Sequence, residues 1–293
     1  MLASQSIVLG TAQLGFDYGV ANHRGKPSAG EAFAILDAAW DCGVRIFDTA
    51  SAYGVAEAVI GEWALARGNA AQVITKTPAL SEGQGWQHAR EALENSRNKL
   101  KQDCVAGLLL HQAADINRSG IRQWAMKLLS AGAIKGFGVS VYQAEDIPND
   151  PVISIAQIPL NVFIQNAAQA GPVNRMIAQG GKVFVRSILV QGLVGLPADR
   201  LPSHLIDRGP YVKRFQSIAA EAGVSPICLA IACARHLLPE AQLILGADNA
   251  LHVYDVFEAL RTPCDEAAVK TANTFGKTAP QGMFDPRSWN AGF

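Results

Sequence analysis

Blocks of one charge sign are missing from this 293-residue chain, whose 25 basic side chains are matched by 25 acidic ones. Without a basic block there is no surface with which to neutralise a row of phosphates, so nucleic acid is not an expected partner. The same balance removes an electrostatic membrane anchor. Long apolar runs are lacking too. The longest, such as Ile227 to Ala234, fall far below the roughly 20 residues that a bilayer-spanning helix demands. Met1-Leu2-Ala3-Ser4-Gln5 puts no basic residue ahead of an apolar stretch, so no secretory leader is expected and the chain reads as cytoplasmic. The five cysteines are odd in number and contain no Cys-x-x-Cys pair. That argues against a disulfide framework or a zinc site and for reduced, mostly buried thiols. No metal is expected, and a catalytic cysteine is the weaker alternative.

No low-complexity stretch marks a domain boundary, and with 49% apolar residues the chain is rich enough for one sizeable core. Short apolar runs recur instead: Ile7 to Leu9, Val44 to Phe47, Val73 to Thr75, Val105 to Leu110, Gly136 to Val141, Ile153 to Ile158, Val183 to Ser187 and Leu243 to Leu245. Their near-continuous hydrophobicity suits strands covered on both faces. Between them lie helix-period stretches: Ala29 to Cys42 with Ser28 as N-cap, Ala56 to Arg67, Trp86 to Lys101, Ile121 to Ala131, Asn174 to Gln179, Ser225 to Leu238 and Asn249 to Leu260. Pro210 to Ala222 reads as an extra helix. Eight strands alternating with helices predict an α/β fold, a (β/α)8 barrel over residues 1–293. The expected additions are a rim loop at about 188–209 and a C-terminal tail at about 276–293. An open doubly wound sheet is the competitor. It calls for a glycine-rich turn after the first strand, and Gly10-Thr11-Ala12-Gln13-Leu14-Gly15 does not have that pattern. Gly136-Phe137-Gly138-Val139-Ser140 begins like one but lacks the third glycine.

Chemistry in such a barrel sits where the strands end. The second run ends in Asp48, with Tyr53 five residues on; the third ends in Lys76 and the fourth in His111. Each alone has an ordinary explanation: a helix cap, a packed ring, a solvated ammonium, a structural imidazole. Together, on one rim of three adjacent strands, they read as a proton-transfer site. A tyrosine hydroxyl is a poor acid near neutrality, and a neighbouring ammonium is expected to lower its pKa. A carboxylate holds that ammonium in place, and a neutral histidine orients a substrate carbonyl. The set lacks a reductant, which implies a hydride cofactor.

Gly43-Val44-Arg45-Ile46-Phe47-Asp48-Thr49-Ala50, followed by Tyr53-Gly54, Glu57 and Gly61, resembles the aldo-keto reductase signature; Lys76 and His111 complete that family's tetrad. Gly136 to Ser140 and Gln157 match it more weakly. The resemblance runs from about Leu9 to about Leu260. It implies NAD(P)H-dependent reduction of an aldehyde or ketone, with Tyr53 as general acid, Lys76 depressing its pKa, Asp48 paired with Lys76, and His111 orienting the carbonyl. It places Ser140 and Gln157 at the nicotinamide carboxamide, Gly10, Thr11 and Asp48 at the nicotinamide end, and Arg186 and Ser187 on the seventh strand. Gln191 and Gly192 belong to the loop over the pyrophosphate, and Gly246, Ala247 and His252 to the adenosine end.

Some positions depart from the better-known branch. Val141 stands where many relatives have Asn, which removes one carboxamide contact. Arg186 replaces an aromatic that stacks on the nicotinamide; a stacked guanidinium would favour the reduced cofactor. Gly246, His252 and Val256 replace the Lys, Arg and Asn of strongly NADP-specific relatives, although the helix start near Asp248-Asn249 offers a phosphate site. The resemblance still implies NADP(H) ahead of NAD(H). Leu9 to Gly15 and Arg186 to Leu193 look like a bacterial sub-branch associated with sugar or glycan pathways. Few residues precede the first run, so a hairpin closing the barrel's far end is expected to be reduced. Expected pocket residues are Gln13, Phe16, Tyr18, Gln112, and Phe284 or Trp289 from the C-terminal tail. The partner is a small-molecule carbonyl substrate, and the protein is expected to be a monomer or weak homo-oligomer. Two other functions remain open: an NADP(H)-binding regulatory protein with little turnover, and a lyase using Lys76 as a Schiff base.

Overall fold

The computed structural model describes residues 7–289; the expectations about a leader and a reduced N-terminal hairpin concern residues outside that range. Eight parallel strands form a closed barrel in sequence order. They are β1 (Ile7–Gly10), β2 (Ile46–Asp48), β3 (Gln72–Lys76), β4 (Gly107–Leu110), β5 (Phe137–Ser140), β6 (Ile155–Pro159), β7 (Lys182–Arg186) and β8 (Gln242–Leu245). β8 returns to pair with β1, Ile7 opposite Leu243. All eight apolar runs are strands, as their two-sided hydrophobicity predicts.

The helices are α1 (Ala29–Asp41), α2 (Ala56–Arg67), α3 (Trp86–Leu100), α4 (Ile121–Ser130), α5 (Gly171–Ala178), α6 (Gly209–Glu221), α7 (Pro226–Leu237), α8 (Ala250–Arg261) and α9 (Glu266–Gly276). α1 starts where expected: Ser28 and Glu31 form a capping box. α9 is not anticipated by the sequence. Its buried face is Val269, Ala272, Asn273 and Gly276, too small and too polar to show a helical stripe. The face is small because a side chain at Gly276 would come within 1.9 Å of the Val162 carbonyl oxygen. No single described helix is long and apolar enough to cross a bilayer.

Strand alternation divides the core in two. Ile7, Leu9, Phe47, Val73, Leu108, Leu110, Val139 and Val185 point outward and pack against the helices. Val8, Ile74, Leu109, Ile155, Phe184 and Ile244, with Ile46, fill the barrel interior. A third cluster lies under the segment after β7, where Val190, Leu193, Val194 and Leu205 are buried with Phe215, Phe284 and Trp289. That segment is a chain of 3-10 turns with its own apolar footing.

Candidate active site

Two residues beyond each member of the interior apolar layer, alternation returns the chain to the barrel axis. Val8, Ile46, Ile74, Leu109, Gly138, Ile155, Phe184 and Ile244 are thus followed by Gly10, Asp48, Lys76, His111, Ser140, Gln157, Arg186 and Gly246. Each strand contributes one residue to this upper layer, and all eight are residues that the sequence nominates. The barrel places them together at its C-terminal mouth.

Asp48 is the hub. Its Oδ1 accepts hydrogen bonds from Lys76 Nζ at 2.7 Å and from Gln157 Nε2 at 2.7 Å. Lys76 also donates to the Thr49 carbonyl at 2.7 Å and is only 1% exposed. Gln157 accepts from Ser140 Oγ at 3.3 Å. The Asp48 carbonyl receives the Thr11 hydroxyl at 2.8 Å, which fixes β1 against β2. Tyr53, half-buried, lies above: Lys76 Nζ is 5.1 Å from its ring centroid, and Phe16 meets it edge-on at 6.0 Å. Glu57, buried in α2, accepts the Thr75 hydroxyl at 2.6 Å and thereby anchors the helix that Tyr53 leads into.

The electrostatics correct one expectation. Lys76 does not pull the Tyr53 phenol down. Burial pushes that pKa up, and the Asp48 carboxylate adds to the rise while Arg186 opposes it. The ammonium is spent on Asp48 and Thr49, so a nearly neutral pair underlies the ring and desolvation prevails. Tyr18, beside it, is raised to about 12 for the same reason, chiefly burial. Burial also lowers the pKa of Lys76 itself, against the attraction of Asp48. The His111 imidazole is held below its ordinary range by burial first and then by the charges of Lys76 and Arg186.

From Asp48 and Tyr53 a cleft of about 330 Å³ runs outward between the ends of β1, β7 and β8. Gly10, Thr11, Arg186, Ser187, Gln191, Gly192, Gly246, Ala247 and His252 all line it. Gln13 and Tyr18 line it as well; Gln13 donates to the carbonyls of Gly10 and Ala247, at 3.1 and 2.9 Å, and so staples β1 to β8. Lys76, His111, Ser140 and Gln157 stand outside this lining. Val190 and Gln191 hold left-handed backbone with φ of 51° and 56°, and the Gln191 carbonyl receives the Val20 N–H at 3.0 Å. That bond ties the rim segment across the cleft to the loop after β1.

Phe16, Gln112, Phe284 and Trp289, expected in the pocket, are absent from the cleft lining. Phe284 and Trp289 are not pocket residues: Phe284 stacks on Phe163 at 3.8 Å, and both are buried in the cluster beside α6. Their burial anchors the described part of the tail, while Arg287 from the same tail reaches the mouth. Gln112 is exposed at the start of a 3-10 turn. Arg186 lies over the Tyr142 ring, 4.5 Å from its centroid, and donates to the Val141 carbonyl at 3.2 Å. Arg287 covers Tyr142 at 3.9 Å. Tyr142 is unforeseen; its signal in the sequence is its place two residues beyond Ser140, where alternation again turns a side chain to the mouth.

Two glycines set the position of Tyr53. A side chain on Gly15 would fall 1.8 Å from the Tyr53 carbonyl oxygen, and one on Gly54, at φ +51°, 2.5 Å from the Gly15 carbonyl. Only bare backbone lets the two loops touch. Gly15→Ala is therefore expected to cost about 1–3 kcal/mol of stability and, by moving Tyr53, about tenfold or more in turnover. Urea unfolding and steady-state kinetics check both; unchanged values in both would refute the close approach.

The model of the aldo/keto reductase family matches residues 6–276. An aldo-keto reductase of Mycolicibacterium vanbaalenii is 31% identical over 161 residues, 51% of this chain and 56% of that protein. One from Mycobacterium sp. (strain MCS) is 32% identical over 158 residues, 51% and 55% of the two chains. The chain thus spans about half the length of the curated relatives it matches. Among solved structures, a glycerol dehydrogenase from Gluconobacter oxydans has a TM-score of 0.70 over 98% of this chain and 94% of its own, at 19% identity. An aldo-keto reductase from Bacillus halodurans in its holo form has 0.74 over 94% and 93%, at 18% identity. At such identities the likeness is one of fold.

Proposed function

The chain belongs to the aldo/keto reductase family, and from that premise we propose that it reduces an aldehyde or ketone of a small molecule to the alcohol. A nicotinamide dinucleotide is the reductant and Tyr53 the proton donor. The observation that carries this reading is the buried Asp48–Lys76 pair beneath Tyr53 at the inner end of a cleft that opens outward between β1, β7 and β8. The walls suit such a cofactor. Gly10, Gly192 and Gly246 leave backbone bare along the cleft, and Gln191 Oε1 is buried there with no hydrogen-bond partner. Gly10, Thr11, Arg186 and Ser187 would hold its inner half, with Ser140 and Gln157 behind, and Gly246, Ala247 and His252 its outer half. When bound, the cofactor supplies hydride.

The chain's own residues manage the proton. A phenol whose pKa is raised stays protonated at neutral pH, and it remains a stronger acid than the alcohol whose oxygen it must protonate. His111, kept neutral, offers an N–H to the carbonyl oxygen and orients it. Lys76 and Asp48 fix the floor on which Tyr53 rests. All four groups come from one chain, so the site is complete in a monomer, and the whole chain acts as one barrel domain. A cytoplasmic setting accords with this reading. A Schiff-base lyase does not, because the Lys76 amine is enclosed and already donates to Asp48 and Thr49.

Titration with reduced nicotinamide dinucleotides, followed by a panel of carbonyl compounds, tests the proposal. Binding with turnover supports it; binding without turnover on any carbonyl identifies a regulatory cofactor-binding protein instead. The pKa shifts add a pH prediction. With the Tyr53 pKa raised, reductive turnover should stay level from neutrality to about pH 9, below the ordinary phenol range near 10. Because the folded-state pKa of His111 is depressed, the unfolded chain takes up its proton first as pH falls below about 6.5. Stability should therefore drop below that pH, and His111→Gln should abolish that part of the drop in urea unfolding.

A further inference from the structure

We propose that the outer end of the cleft is built to accept a ribose 2′-hydroxyl and to reject a 2′-phosphate, so that the protein takes NAD(H) in preference to NADP(H), with Asp248 as the discriminating residue. This rests on the dinucleotide reading above and reverses the preference implied by the family resemblance.

The polarity of the cleft fixes which end is which. The nicotinamide must meet the substrate beside Tyr53 and Asp48, so the adenosine falls at the opposite end. Asp248, His252, Asp255 and Val256 line the cleft from α8 and the turn before it, outside the ring of strand ends that carries Asp48. Among the described residues lining the whole cleft, the one side chain with a permanent positive charge is Arg186. It belongs to the reactive end, close enough to act on Tyr53 and His111. The outer end instead presents two carboxylates. Asp248 is half-buried, and that burial raises its pKa; its Oδ2 stands 3.7 Å from His252 Nδ1, too far for a strong bond.

The start of α8 gives a phosphate little help. Asn249 caps the helix with its own side chain, accepting the His252 N–H at 3.0 Å. One of the amides that would otherwise face an anion is thereby occupied. A 2′-phosphate dianion entering here meets like charge with no permanent cation to offset it, in a partly desolvated place where repulsion is strengthened. A ribose hydroxyl does the opposite: it donates to the carboxylate in a charge-assisted hydrogen bond. An acidic side chain on the ribose 2′-hydroxyl is how NAD is chosen over NADP in other dinucleotide sites, and an arginine makes the reverse choice.

The test is a set of dissociation constants measured by calorimetry at about pH 8, above the ordinary imidazole range. NADH, NADPH, 5′-ADP and 2′,5′-ADP are titrated into the whole protein and into Asp248→Asn. NADH should bind about tenfold or more tightly than NADPH, and 5′-ADP should exceed 2′,5′-ADP in the same sense. Asp248→Asn should tighten NADPH about three- to tenfold and weaken NADH about three- to tenfold, because the ribose hydroxyl loses its charged acceptor. Equal or tighter binding of NADPH by the wild-type protein overturns the inference while leaving the reductase reading intact. An unchanged NADH-to-NADPH ratio in Asp248→Asn overturns the assignment to Asp248. If neither dinucleotide binds, the dinucleotide reading itself falls and takes this inference with it.

Discussion

Tyr53→Phe is expected to lower carbonyl-reduction turnover by about 10²- to 10⁴-fold, the range associated with losing a general acid. Affinity for the reduced dinucleotide should change little. The substitution deletes one oxygen and keeps the ring, so the edge-on contact with Phe16 and the position over Lys76 persist. Nothing in the Asp48–Lys76–Gln157 network passes through the phenol oxygen, so that network should survive and the fold with it. The loss should therefore fall on turnover rather than on binding, which separates a proton donor from a packing residue. Cofactor titration and single-turnover kinetics on the same preparation read the two quantities. Full turnover in Tyr53→Phe would remove Tyr53 from its proposed role, and a matching loss of cofactor affinity would make it a binding residue instead.

Much of this site is legible without a structure because a barrel strand encodes direction in alternation. Ile46, Ile74, Leu109 and Ile155 are apolar because they face the barrel axis. Asp48, Lys76, His111 and Gln157, two residues later, face the same axis at its solvent end. Polar residues in that register after apolar runs have few other places to go. What alternation cannot supply is what crosses between elements. The rise in the Tyr53 pKa depends on burial, and Phe16, which packs edge-on against it, belongs to a loop without periodicity. The seat of Arg186 depends on Tyr142 and Arg287, which are far from it in sequence. Phe284 and Trp289 look like rim residues only because nothing local points to Phe163 as a partner. α9 is invisible for the same reason: its fit against Val162 requires small residues, and small residues erase the stripe by which a helix is recognised.

The Asp48–Lys76 pair should show the largest effect on stability. Both side chains are almost fully enclosed, at 1% and 5% exposure, with 2.7 Å between Nζ and Oδ1. Lys76→Met removes the cation and strands a carboxylate that keeps only the Gln157 amide. Breaking a buried pair from one side costs about 3–5 kcal/mol, because the partner's charge is left without compensation. In a chain of this size that corresponds to a fall in Tm of about 5–8 °C. Adding Asp48→Asn to Lys76→Met removes the stranded charge, and the asparagine oxygen can still accept from Gln157. The double variant should therefore recover most of the lost stability, since replacing both partners with neutral groups is often close to neutral. Turnover should not recover with it, because the Lys76–Asp48 floor that positions Tyr53 is gone. Thermal and urea unfolding of the two single variants and the double variant give the coupling directly. A double variant as unstable as Lys76→Met would show that the cost is lost packing of the lysine stem rather than an orphaned charge. A double variant that regained turnover along with stability would show that the pair serves the fold alone and leaves the proton to be managed without it.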